Sequence, residues 1–275
     1  MGAHRGGRNV TRIAIFGDIG GHAENFAEHL KRLGVDVAAG LVPDDLVVVQ
    51  VGDLVDGGPD SVGVLEMVAR FLANSPEQWV QLVGNHELNH VRDEPTFIYM
   101  RDARPLPETA VPLLKALYDR GEFRNAVALE LDSIGPTLVT HAGLTAHLWD
   151  ELGAPTDVVE VARLLNEHDH LMDRTGVRLT GRGTTFDVGP AWADAERELH
   201  ASWRFREGLH DDVPFSQVFG HTDLEQPIVQ IAGRTFRTVD NGLGRYAGHR
   251  LRPFVTTGRV LGVDPRSVEQ ARTLP

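Results

Sequence analysis

Leu46-Val47-Val48-Val49-Gln50-Val51-Gly52-Asp53-Leu54-Val55-Asp56-Gly57-Gly58-Pro59-Asp60-Ser61 reads as a strand, a glycine-rich turn and the opening of a helix. The mostly apolar run Leu46 to Val51 suits a strand buried on both faces. Gly52 to Gly58 breaks it, and the apolar spacing from Pro59 to Leu72 is helical. The same unit stands on either side. Thr11 to Phe16 predicts a strand that stops at Gly17-Asp18, followed by a helix from about Glu24 to Leu33. Trp79 to Val83 predicts a third strand, opening into a polar loop at Gly84. Strands alternating with helices imply right-handed βαβ crossovers and a parallel sheet, hence an α/β fold. All three polar turns follow a strand directly, which gathers them at the carboxyl edge of the sheet, where such folds place their sites.

Farther along, Asp93 to Pro107 reads as a loop and Glu108 to Arg120 as a helix. Asn125 to Leu131 and Thr137 to Thr140 read as strands meeting at Gly135-Pro136, the second delivering His141. Leu144 to Asp173 is helical with a break at Pro155, and Arg174 to Gly189 is glycine-rich and irregular. Phe215 to Phe219 delivers His221, and Ile228 to Ala232 with Thr235 to Val239 reads as a hairpin around Gly233-Arg234. The expected organisation is a flexible N-terminus (1–10), one domain (11–264) with 142–215 as a helical and irregular, lid-like insert, and a C-terminal tail (265–275).

The 275 residues suffice to bury a core without staples. There is no cysteine, which excludes disulfides, thiolate metal sites and thiol nucleophiles, so any transition metal must be held by His, Asp, Glu or Asn. A formal net charge of -12 argues against a general nucleic-acid surface. Lys31 and Lys115 are the only lysines among 27 basic residues, a bias that codon usage explains without function. No apolar run approaches the roughly 20 residues of a membrane span. Met1-Gly2-Ala3-His4-Arg5-Gly6-Gly7-Arg8 has neither an apolar signal core nor the Ser or Thr of a myristoylation site. A cytoplasmic protein without a membrane partner is expected.

Five polar segments follow one another in order: Asp18-Ile19-Gly20-Gly21-His22, Gly52-Asp53-Leu54-Val55-Asp56, Gly84-Asn85-His86-Glu87, His141-Ala142-Gly143 and Gly220-His221-Thr222. Any one Asp or His here is better read as a cap or turn residue, but that account fails for the set. The set resembles the signature of the calcineurin-like metallophosphoesterases. Within them it is most similar to bacterial and phage phosphoprotein-phosphatase-type and diadenosine-tetraphosphatase-like members. The resemblance runs from Ile13 to about Gly242 and is weakest between His141 and His221.

What the resemblance implies is an α/β β-sandwich flanked by helices, with a metal site at the C-terminal ends of strands. Two divalent ions are expected, Mn2+ first, with Fe, Zn2+ or Mg2+ as alternatives. Asp53 would bridge them, Asn85, His141 and His221 would complete the second site, and Asp18 would hold the first. A metal pair activates water and offsets phosphoryl charge. His86 would protonate the leaving oxygen, kept charged by Asp56. Asn85, His86 and Arg182 would also touch the substrate, a phosphorylated protein or small molecule. The expected activity is that of a phosphomonoesterase of the protein-phosphatase type. The alternatives are a nucleotide or dinucleoside polyphosphate hydrolase and, from another class, a catalytically weak metal-dependent protein-binding module.

Departures from the pattern are as informative. The first motif is normally Asp-x-His, yet Gly20 stands where the histidine belongs. Three accounts compete: His22 swings in on the glycine pair, water completes a site for Mg2+ or Mn2+, or one metal serves recognition. Asp223 offers a further carboxylate. The two arginines by which the protein-phosphatase branch grips phosphate are replaced by Gly57 and Val83, leaving Arg174, Arg178, Arg182 and Arg197 as candidates. Glu167-His168-Asp169-His170 reads as a solvated helix face, His90 as a loop histidine, and Asp240-Asn241-Gly242 with His249 as a surface turn.

Overall fold

A computed structural model describes residues 11–93, 104–175, 186–206, 213–243 and 251–262. Strands β1 (Thr11–Phe16), β2 (Leu46–Gln50), β3 (Trp79–Leu82) and β4 (Phe123–Arg124) pair in parallel, as the alternation with α1 (Ala23–Arg32) and α2 (Ser61–Asn74) requires. Helix α1 buries Ala23, Phe26 and Leu30, an i, i+3, i+7 stripe, against the sheet. Helix α2 begins at Ser61, two residues later than the apolar spacing suggests, because the Asp60 carboxylate accepts the Gly63 N–H at 2.8 Å and caps it.

The remaining strands are β5 (Ala126–Leu131), β6 (Gly135–Thr140), β7 (Ser216–Phe219), β8 (Ile228–Ile231), β9 (Arg234–Thr238) and β10 (Phe254–Leu261). One ladder runs β4-β3-β2-β1-β10-β5-β6-β7-β9-β8. Sequence reading missed its central member, β10, which pairs antiparallel with both β1 and β5. One buried core contains only residues of the strands and their immediate ends, from Ile13, Val49 and Leu82 in one half to Leu129, Val139 and Val218 in the other. The two halves therefore lie face to face as a sandwich, with α1 and α2 outside one of them and α6 (Val158–Glu167) against β5 on the other. The mixed α/β, helix-flanked architecture expected from the motifs is thus observed, with an antiparallel seam that the βαβ pattern did not foretell. The β8–β9 hairpin turns at Ala232-Gly233, both left-handed (φ 44° and 76°), one residue earlier than expected.

One helix replaces an expected loop. Helix α3 (Asn85–Val91) forms where a loop was read, because Glu87 reaches back to the Gly84 N–H at 2.9 Å. At its far end Arg92 binds Asp169 and Asp173, each at 2.7 Å, so the Glu167–His170 stretch is partly an anchor rather than a solvated face. Helices α4 (Val111–Asp119), α5 (Ala146–Glu151) and α6 follow the sequence reading closely, with Pro155 between α5 and α6. Among the described residues no helix is long and apolar enough to cross a membrane.

Deep in the second half, His200 is only 2% exposed and packs edge-on against Phe219 and Phe236. Burial, then the charge of Arg204, lower its pKa to about 4, against a smaller pull from Asp194. The unfolded chain takes up this proton near pH 6.5 while the folded one resists until about pH 4, so this stabilisation is present above 6.5 and is lost as pH falls. A loss of up to roughly 3 kcal/mol is expected across that window. Urea unfolding at pH 7 and pH 4.5 checks it: His200→Phe should flatten the dependence, and an equal drop in both proteins would contradict the assignment.

Candidate metal centre

The five polar segments converge because β1, β2, β3, β6 and β7 all present their carboxyl ends to one edge. Two glycines permit the approach. A Cβ on Gly84 would collide with the Asp53 carboxylate, and one on Gly220 with that of Asp18. Asp53, Asp56 and His221 all hold left-handed backbones (φ 54°, 72° and 62°), conformations costing on the order of 1–3 kcal/mol each. They persist because the surroundings over-determine them. The buried Glu87 carboxylate accepts the N–H groups of Asp53 (2.8 Å) and Leu54 (2.7 Å) as well as that of Gly84. Burial, then the charge of Asp53, raise the Glu87 pKa to about 7 against these bonds.

At the centre, Asp53, His141 and His221 bring a carboxylate oxygen and two ring nitrogens within 4.8 Å of one another. His141 Nδ1 lies 3.0 Å from the Val51 carbonyl, an acceptor, so Nδ1 carries the proton. Burial lowers the His141 pKa despite the attraction of Asp53 and keeps the ring neutral. Its Nε2 is then a lone pair, and it faces Asn85 Oδ1 at 3.0 Å and Asp53 Oδ1 at 3.5 Å. His221 Nδ1 approaches the same Asn85 oxygen at 3.1 Å. Lone pairs converging from a carboxylate, an amide oxygen and imidazole are a donor set for a divalent cation, with the His141 ring oriented by the Val51 carbonyl. The residues present therefore fit a metal.

Asp18 joins through its Oδ1, which accepts the His221 N–H at 2.9 Å. Gly20 and Gly21 do take left-handed backbones, and the Ile19, Gly20 and Gly21 N–H groups bind the Asp53 and Leu54 carbonyls. That fold puts His22 at the N-cap of α1, without a side-chain capping bond, and outside the close group of Asp53, His141 and His221. Burial and then the charge of Arg104 lower the His22 pKa.

Beside this group, His86 Nδ1 meets Asp56 Oδ2 at 2.7 Å while its Nε2 points back to within 3.7 Å of Asp53 Oδ2. Burial works against the imidazolium, but Asp53, Asp56 and Glu87 raise its pKa to about 9. The imidazole is thus charged at neutral pH and oriented by a buried carboxylate, the arrangement of a general acid. Asp56 is more heavily engaged than the sequence suggested. His90, read as a loop histidine, sits on α3 with Nε2 3.0 Å from Asp56 Oδ1, which also accepts the Leu106 N–H at 2.7 Å.

Arg182, Arg178 and His249 lie outside the described residues. Arg174 is bound to Glu151 and Asp187, and Arg197 is an exposed residue of the segment capped by Asp194. One arginine that sequence reading passed over is tied by its backbone to this region: the Arg104 carbonyl accepts the Gly57 N–H at 3.0 Å, and two residues later the Leu106 N–H binds Asp56. Only the tertiary fold reveals it. Asp240, read as part of a surface turn, is buried, and its charge acts on His141. A second, more exposed group of possible ligands, His147, Glu151 and Asp187, has two of its carboxylates already met by Arg174.

Comparison with known proteins agrees with this geometry. A bis(5′-nucleosyl)-tetraphosphatase (asymmetrical) of Geobacillus sp. strain WCH70 is 26% identical over 247 residues, spanning 84% of this chain and 85% of that protein. Among solved structures, the cold-active protein-tyrosine phosphatase of a psychrophilic Shewanella overlays with a TM-score of 0.60 at 16% identity, covering 90% of this chain and 75% of that one. So low an identity speaks for the fold alone. The calcineurin-like phosphoesterase family profile matches residues 11–225, and with the converging ligand set beneath it the chain belongs to that family of metal-dependent phosphoester hydrolases.

Proposed function

We propose that the protein hydrolyses nucleoside polyphosphates by water attack at a phosphoryl group held at the carboxyl edge of the sheet. The observation that carries the hydrolytic part is the pairing of the cation donor set with a charged, carboxylate-oriented His86 beside it. Asp53, Asn85, His141 and His221 would hold one ion, and Asp18 with Asp53 the other. Mn2+ suits this mixed oxygen and nitrogen set and the carboxylate-poor first site, where water must fill positions that Gly20 leaves open. When bound, such ions supply Lewis-acid activation of water and of the phosphoryl group. His86 gives its Nε2 proton to the departing oxygen, and Asp56 keeps that imidazole charged and aimed. The lid-like stretch 142–215 would wall the site.

The substrate class is supported by the tetraphosphatase relative, and by Gly57 and Val83 standing where the protein-phosphatase branch carries its phosphate-gripping arginines. Arg104 would take that duty in part: its backbone is tied to Gly57, and its guanidinium has no carboxylate partner among the described residues. Arg104→Ala is expected to raise KM for diadenosine tetraphosphate about tenfold, one charge-assisted hydrogen bond's worth, with a smaller change in kcat. Steady-state kinetics on that substrate check it, and an unchanged KM would remove Arg104 from the site. A direct comparison tests the reading itself. Nucleotide release from diadenosine tetraphosphate should exceed phosphate release from a phosphotyrosine peptide in kcat/KM, and the reverse order would restore the protein-phosphatase reading.

A further inference from the structure

His86 and His90 stand four residues apart on α3, so their side chains share one face of that helix. Both reach Asp56, whose side chain is only 1% exposed. His86 Nδ1 lies 2.7 Å from Oδ2, while His90 Nε2 lies between the two carboxylate oxygens, 3.0 Å from Oδ1 and 3.2 Å from Oδ2. An ionised carboxylate can only accept, so His86 donates through Nδ1–H and His90 through Nε2–H.

The backbone of Asp56 is already fixed, left-handed at φ 72° with its N–H bound to Ser61 Oγ at 2.9 Å. Its carboxylate is a different matter. The last torsion of an aspartate is broad and roughly two-fold, so the group turns unless donors hold its plane. The Leu106 N–H pins Oδ1 from one side at 2.7 Å. His90 is the donor that touches both oxygens, and it is carried by the same short helix as His86. With Oδ2 held toward His86 Nδ1, the far edge of the His86 ring stays aimed at the metal centre, its Nε2 3.7 Å from Asp53 Oδ2. Helix α3 has no need of this histidine for its own ends: Glu87 starts it and Arg92 anchors its far end to Asp169 and Asp173.

We propose that His90 is a positioning residue for the acid pair, its Nε2–H locking the Asp56 carboxylate so that His86 presents its proton along one line to the departing oxygen. The proposal rests on the reading of His86 as general acid and deepens it. Charge alone would give the opposite sign. A donor on Asp56 draws negative charge away from the bond to His86, so on charge alone the loss of His90 would leave proton delivery intact or improve it. Geometry predicts a loss, because a misplacement of about 1 Å in a reacting group can lower a rate by about 100-fold. Leu106 still holds one oxygen, so a smaller effect is expected here.

The test compares wild type, His90→Phe, His90→Gln and His86→Ala, each loaded with Mn2+, on an alkyl phosphate and on p-nitrophenyl phosphate. In His90→Phe, kcat for the alkyl phosphate should fall about tenfold while KM and metal content by atomic emission stay as in the wild type. The nitrophenyl ester, whose leaving group needs no proton, should lose far less. His90→Gln, whose amide N–H reaches as far along the side chain as imidazole Nε2, should recover most of the loss. Added to His86→Ala, the His90→Phe change should lower alkyl phosphate turnover no further, since both act on one step. Should His90→Phe fail to fold, His90→Leu takes its place in the same comparison. Equal falls on both substrates with loss of metal would make His90 a packing residue of the helix that carries Asn85, and a raised KM would make it a substrate contact. Either result, undiminished turnover of the alkyl ester, or a His90→Gln as impaired as His90→Phe would overturn the proposal. If His86→Ala shows no difference between the two esters, the general-acid reading falls and this proposal with it. If His86→Ala shows that difference and His90→Phe does not, the positioning role alone is refuted.

Discussion

Asp53→Asn should lower kcat/KM on the order of 1,000-fold and strip the protein of one or both divalent ions. Asp53 is the only carboxylate in the close group with His141 and His221, and neutral Asn85 and imidazole cannot hold an ion pair alone. The substitution keeps the side-chain oxygen that accepts the His86 N–H at 3.0 Å, so the local backbone should survive. Metal-free stability at neutral pH is expected to fall. Burial and Glu87 disfavour the Asp53 carboxylate, but the charges of His141, His86 and His221 outweigh them and lower its pKa, so its charge favours the folded state. Metal content by atomic emission, with kcat/KM and thermal unfolding on the same preparations, checks all three. A variant that retains its metal and more than a tenth of wild-type activity would show that Asp53 does not bridge.

The second large effect concerns the leaving group. His86→Ala should reduce hydrolysis of an alkyl phosphate by about 100- to 10,000-fold, the range for loss of a general acid, and that of p-nitrophenyl phosphate far less, because a nitrophenolate departs without a proton. Asp56→Asn should reproduce the pattern at smaller amplitude. It leaves the ring in place but removes the buried negative charge that, with Asp53, holds the imidazolium pKa up at about 9. Asp56 also receives His90 and the Leu106 N–H, so circular dichroism and melting curves must accompany the kinetics. Equal losses on both substrates, or unchanged turnover of the alkyl ester by Asp56→Asn, would assign the pair to structure rather than to proton transfer.

Why the site was legible in the sequence follows from its chemistry. The ligands expected here are Asp, Asn and His, and they sit directly after strands, so β1, β2, β3, β6 and β7 reveal themselves through the residues that follow them. Strand β10 offers no such sign. Its exposure pattern does not alternate, and Gly258 interrupts it where a Cβ would collide with the Glu130 carbonyl. It is held by backbone bonds to β1 and β5, a tertiary fact. Helix α3 is too short to show a period and owes its start to one glutamate, which also explains why His90 was misread as a loop residue. Arg104 and Asp240 act through the fold alone: one is brought to Gly57 by a backbone hydrogen bond, the other is buried behind Gly17 by the segment after β9. Gly20 departs from the family pattern and takes a left-handed backbone, while His22 stands at the N-cap of α1, outside the close group of Asp53, His141 and His221.

With this ligand set, phosphoester hydrolysis should depend on a divalent metal. One titration decides it: phosphate release from p-nitrophenyl phosphate by protein first stripped with chelator, then supplied with increasing Mn2+. No turnover is expected after stripping, and recovery should saturate with the ion in the wild type but not in Asp53→Asn. Turnover that persists without metal, or metal-loaded protein that releases no phosphate at all, would contradict it.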